Sequence, residues 1–143
     1  MRQLTKTAMR SRENKLEIEA QAVELPTVES VRRQMFLDFC RLMEDQSIAY
    51  VILSGYRDYP ERIDSDVDFM VSEQDFARLP ELFRESGCIK GAQLLQVLQH
   101  ETSAAYYIFA QPVGAQLAFL HPDAAASYRR RGRMWLRSGD VLR

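Results

Sequence analysis

"ILSGYRDYPERIDSDVDFMV", residues 52–71, decides how the chain is read. It joins one apolar run to another through a glycine and a polar, proline-containing loop, and the second run carries two acids, Asp66 and Asp68, one residue apart. Side chains alternate along a strand, so in "DVDFMVS" Val67, Phe69 and Val71 share one face and Asp66, Asp68 and Met70 the other. The acids are therefore half of a metal site or the polar face of a strand. Two inward-facing carboxylates without a cation repel each other and are costly to desolvate.

The flanking segments predict an α/β (α+β) domain, a small mixed sheet flanked by helices. "AYVILS", residues 49–54, is short, apolar and β-branched, which suits a strand buried on both faces, and Gly55 ends it. Before it, Thr27 is placed to cap a helix running to about Gln46, with Val28, Val31, Met35, Phe39 and Leu42 as its apolar stripe. After it, Ser72 and Asp75 resemble a capping box opening a helix with Phe76, Leu79, Leu82 and Phe83 on its inner side. Pro80 predicts a kink or two short helices there, and Gly87 a C-cap. Strands are expected at 92–100, 104–111 and 115–121, the last two joined by a "PVG" turn. Residues 122–143 read as a short helix capped near Asp123, a glycine break, a brief "MWL" strand and a helix start in "SGDVL" with nothing behind it, which suggests a continuation.

Length and charge bound the rest. The 143 residues suit one domain, 25–143, preceded by a charged extension, 1–24, that is either loosely docked or a frayed helix on a partner. A formal net charge of -1 gives no bulk reason to expect nucleic acid or membrane as a partner. No apolar run reaches the roughly 20 residues that span a bilayer, and the N-terminus lacks a signal-type apolar core, so a soluble cytoplasmic protein is expected. Cys40 and Cys88 have no metal-ligand spacing and are assigned no chemistry.

The order apolar strand, glycine, polar loop, Asp-x-Asp resembles the signature of the nucleotidyltransferase-fold (DNA polymerase β-like) superfamily, with Gly55 as its glycine, Asp66 and Asp68 as its metal-binding aspartates, and Val67 and Phe69 as its apolar positions. "GYRDYPERIDSDVDF", "VLQHETSAAYYIF" and "RRRGRMWL" look most like a bacterial branch associated with surface-polysaccharide biosynthesis. The resemblance implies transfer of a nucleoside monophosphate from a nucleoside triphosphate to a hydroxyl of a small-molecule or sugar-related acceptor, with Mg²⁺ held by Asp66 and Asp68. Ser54, Gly55, Tyr56, Arg57, Arg62 and Ser65 are the candidate nucleotide contacts. Tyr56 departs from the family's Gly or Ser, and Ser54 stands on the other side of the glycine.

The family's third carboxylate, on a later strand, is the larger departure. In "GAQLAFLHPD" the apolar-Asp-apolar pattern falls on Leu117, Ala118 and Phe119, which puts an alanine where metal binding and proton transfer need an acid. The alternative is accordingly a catalytically impaired domain of the same fold that binds nucleotide, a protein partner or a second copy; an antitoxin-like partner protein is a third class. The arginines at 129, 130, 131, 133 and 137, near Tyr128 and Trp135, are either a polyanion-binding cluster or a solvated helix face. His100 and His121 read as ordinary polar positions, and Tyr106, Tyr107 and Phe109 as core and sheet surface.

Overall fold

The computed structural model describes residues 25–85, 87–130 and 133–142, so the N-terminal extension and Arg131 lie outside the described residues. Helix α1 (Val28–Asp45) starts as its sequence predicts: the Ser30 amide donates to the Thr27 hydroxyl at 3.1 Å and the Thr27 amide donates to the Ser30 hydroxyl at 2.9 Å. It buries Val31, Met35, Phe36, Phe39 and Met43, while Val28 and Leu42 of the expected stripe are half-buried at its margin. Helix α2 (Glu73–Arg84) begins at Ser72, whose hydroxyl accepts from the Asp75 amide at 3.0 Å and donates to the Asp75 carboxylate at 2.7 Å.

The described residues form eight strands, β1 (Tyr50–Ile52), β2 (Val67–Val71), β3 (Gln93–Glu101), β4 (Ala104–Val113), β5 (Gln116–Leu120), β6 (Pro122–Ala125), β7 (Ser127–Arg130) and β8 (Arg133–Arg137), with a last short helix α3 (Ser138–Val141). The main sheet is open and mixed, in the order β1-β2-β6-β4-β3, with β5 also on β4. Among the described residues only β2 and β6 run parallel within it; β7 and β8 form a separate hairpin. Among the described residues, no helix is long and apolar enough to cross a membrane.

Strand alternation divides the sheet as "DVDFMVS" predicts. Val67, Phe69 and Val71 of β2 join Ala105, Tyr107 and Phe109 of β4 under the helices. There Phe39 of α1 meets Phe69 at 5.2 Å between ring centroids, and Phe83 of α2 meets Tyr107 at 4.7 Å and Phe109 at 5.5 Å. Edge-to-face aromatic packing of this kind adds to the area burial that fixes the two helices on the sheet.

Four expectations need correction. β1 is an edge strand of half-buried residues, because among the described residues β2 is its only strand neighbour. α2 runs as one element through Pro80 rather than as two short helices, with Leu79, Leu82 and Phe83 all buried, so tertiary packing outweighs the lost backbone bond. Gly87 is not its cap: the helix ends at Arg84 with Glu85 as its C-cap, and Gly87 takes a left-handed φ of 78° in the turn beyond. Residues 122–130 form β6 and β7 rather than a helix, so the arginines at 129, 130, 133 and 137 lie on a β-hairpin.

Tyr107 is fully buried and its hydroxyl has no hydrogen-bond partner among the described residues. Burial pushes its pKa up from 10.0 to about 12. Tyr107→Phe removes an unsatisfied polar atom and is expected to raise unfolding free energy in urea by about 1 kcal/mol, whereas Phe83→Ala is expected to lower it by roughly 3–5 kcal/mol. The raised pKa means that the folded state retains the proton longer than the unfolded state. Stability from this group is therefore full below pH 10 and lost as pH rises towards 12, and Tyr107→Phe is expected to flatten that fall in the same urea measurements.

Candidate functional site

The open face of the sheet is built around β2. Asp66 precedes the strand, fixed by the Val67 amide donating to the His121 carbonyl at 2.9 Å, and Asp68 lies within it. The Asp66 side chain is 46% exposed, enough for a ligand to reach it. Met70, on the same face, is fully buried, so the face is covered beyond Asp68 and opens towards Asp66.

The strand beside β2 is β6, not β5. Their parallel register pairs Asp68 with Asp123, and Asp123 is also opposite Tyr106 of β4. Register partners project to the same face on neighbouring strands about 4.8 Å apart, so Asp68, Asp123 and Tyr106 form one row across the sheet. Asp123 is thus a strand residue and not a helix cap. Ala118 belongs elsewhere: it is in β5, opposite Gln111, fully buried in the core. β5 and β6 keep a common register along β4, interrupted at His121, and behave as two halves of one strand. Along it Ala118, Leu120, Pro122 and Ala124 face the core, which leaves Phe119, His121 and Asp123 on the carboxylate side.

Hydrogen bonds hold the acids. Tyr106 donates its hydroxyl to Asp66 Oδ1 at 2.9 Å, and His121 Nδ1 lies 3.5 Å from the same oxygen. Ser54 donates its hydroxyl to Asp68 Oδ2. Burial first, then the bond to Asp66 and the charges of Asp66 and Asp123, push the Tyr106 pKa up to about 12, so it remains a donor at neutral pH. Tyr59 is also pushed upward, by burial and then by the charges of Asp68, Asp66 and Asp64.

The loop from β1 curls over this end of the sheet. Gly55 has φ 72°, in the region that disfavours a Cβ, and a Cβ there would stand 3.1 Å from the Tyr59 hydroxyl. A short 3₁₀ turn follows (Tyr56–Asp58), with Tyr56 and Arg57 exposed. Arg62 pairs with Asp64 at 2.6 Å and Ser65 donates weakly to the Asp66 carbonyl at 3.4 Å, both at the surface. A cavity of about 190 Å³ opens beside them, lined by Arg32, Ser65, Asp66, Phe119 and His121. Arg32 reaches it from α1 and donates to the carbonyls of Phe119, at 2.9 Å, and Ile63, at 3.1 Å. A roomier groove of about 730 Å³, between Glu73 and Phe76 of α2 and the β3–β4 turn, contains none of the expected site residues.

The structure thus brings Ser54, Gly55, Ser65, Asp66 and Asp68 together, leaves Arg57 at the surface and engages Arg62 with Asp64. The sequence reading missed Asp123, Tyr106, His121, Tyr59 and Arg32. One signal was available for the first: Pro122-Asp123-Ala124 fits an apolar-Asp-apolar pattern as well as residues 117–119 do, and proline is tolerated as the first residue of a strand.

Comparison with protein-family models, curated proteins and solved structures found no match to this chain. The residues on the sheet therefore carry the functional argument. Among the described residues, no three His, Cys, Asp or Glu side chains form a ready-made metal cage. The donor set nevertheless fits Mg²⁺, which prefers oxygen ligands and is commonly held by one or two carboxylates completed by water and substrate phosphates.

Ala118→Asp is expected to leave any activity unrestored and to lower the melting temperature, because it puts a carboxylate among core side chains on the face opposite Asp66 and Asp68. Thermal unfolding of the variant beside the parent chain checks this.

Proposed function

We propose that the chain is a Mg²⁺-dependent nucleotidyltransferase-like domain with a nucleotidyltransferase-type fold, which binds a nucleoside triphosphate and transfers its nucleoside monophosphate to a hydroxyl of a small-molecule acceptor. The observation that supports this most is the register of Asp123 with Asp68, on the face that also bears Asp66. An impaired domain would follow if Ala118 held the third acid's place; in this reading Asp123 serves as that carboxylate instead.

In this reading Asp66 and Asp68 would hold the cation. Bound Mg²⁺ supplies charge neutralisation around the phosphates and a lowered nucleophile pKa. Gly55, without a side chain, lets the loop backbone come close to phosphate oxygens. Ser54 keeps Asp68 oriented through its hydroxyl. Asp123 accepts the proton of the acceptor hydroxyl as its oxygen bonds to the α-phosphorus. The bond from that phosphorus to the bridging oxygen breaks, and pyrophosphate leaves.

Calorimetric titration of each nucleoside triphosphate with and without Mg²⁺, followed by a pyrophosphate-release assay, tests the reading. Asp66→Asn and Asp68→Asn are expected to abolish the metal-dependent part of nucleotide binding. Asp123→Asn is expected to retain binding while release falls by about a hundredfold to ten-thousandfold, the usual scale for loss of a general base. Nucleotide binding by the parent chain that is absent, or indifferent to Mg²⁺, would refute it.

A further inference from the structure

We infer that Tyr106 is a positioning residue for the cation site: its hydroxyl fixes one oxygen of Asp66 so that the other is presented to the metal. The inference rests on the reading of Asp66 and Asp68 as metal ligands, and it concerns a residue that this reading does not require.

Three features of the fold carry it. Tyr106 reaches across from β4, a strand that does not pair with β2, to donate to Asp66 Oδ1 at 2.9 Å. Because β6 lies between them, the bond spans the strand that bears Asp123, and Tyr106 is itself the register partner of Asp123. A single hydroxyl thereby couples the position of Asp66 to the strand that carries the other acid. The second feature is the ring's seat: Tyr106 packs against His121 at 5.6 Å between centroids, and His121 packs against Phe119 at 5.9 Å, which restrains the phenol from swinging off its acceptor. The third is contrast with the neighbouring residue. Tyr107 points to the core and its hydroxyl has no partner among the described residues, so the two tyrosines share a strand but only one is committed to a carboxylate.

A hydrogen bond to a ligating carboxylate restricts its rotamers and selects which oxygen faces the metal; loss of such an outer-shell partner typically costs about 10–100-fold in metal affinity. Removal of the hydroxyl alone isolates that effect from packing, since phenylalanine retains the ring and its contact with His121.

The test is Mn²⁺ titration followed by loss of the free-ion electron paramagnetic resonance signal, with and without ATP, on the parent chain, Asp66→Asn, Tyr106→Phe and Tyr107→Phe. The expected result is binding by the parent chain that Asp66→Asn removes, a dissociation constant raised about tenfold or more in Tyr106→Phe, and no change in Tyr107→Phe, with Tyr106→Phe melting as the parent does. A dissociation constant within twofold of the parent in Tyr106→Phe overturns the inference and leaves the metal site standing. Absence of Mn²⁺ binding in the parent chain overturns both. A second measurement needs no variant: with ¹³Cζ-labelled tyrosine, the Tyr106 signal is expected to shift along a Mg²⁺ titration with the midpoint of cation binding while the Tyr107 signal stays, and a Tyr106 signal unmoved at saturating Mg²⁺ overturns the inference.

Discussion

The parallel pairing of β2 with β6 is the constraint on which the remaining architecture depends. It seats Ala124 and Pro122 beside the buried face of β2, and in doing so it sets Asp123 beside Asp68 on the other face. Because side chains alternate with a period of two, a slip of one residue in that register would send Asp123 into the core and bring Ala124 out among the acids. Burial of Val67, Phe69 and Val71 against Phe39 and the aromatic residues of β4 resists such a slip, so apolar packing on one face determines the chemistry on the other.

The acids are held from several directions. Ser54 comes from the end of β1, Tyr106 from β4, and the amide of Val67 is tied to the carbonyl of His121. Arg32 adds a clamp from α1, with its guanidinium on the carbonyls of Ile63 and Phe119, the two segments that lead into Asp66 and His121. Its half-buried guanidinium is thus satisfied by main-chain carbonyls, and it lines the same cavity as Asp66.

The loop between β1 and β2 illustrates why Tyr56 after the glycine is compatible with such a site. The tyrosine is exposed in a 3₁₀ turn, and the hydroxyl that reaches Asp68 comes instead from Ser54, before the glycine. Gly55 meets two separate demands, a left-handed backbone and a close approach by Tyr59, which together disfavour a side chain at that position.

Much of this was legible in the residues. The caps at Thr27 and Ser72, the stripe on α1, the strand at 67–71 with its division of acids and apolar residues, and the hairpin built on β4 and β5 all follow from local patterns, because periodicity and capping act over a few residues. What only the tertiary structure decided is which strand lies beside which. "GAQLAFLHPDAA" offers two phases of alternation, one placing Leu117 and Phe119 inside and the other Ala118, Leu120, Pro122 and Ala124. The choice rests on a shared register with β4 and on the parallel partner β2, over fifty residues away. The sequence by itself determined that Asp66 and Asp68 share a face; long-range pairing alone decided that Asp123, and not residue 118, joins them there, because a strand's own alternation says which residues stay together and its neighbours say which way they turn.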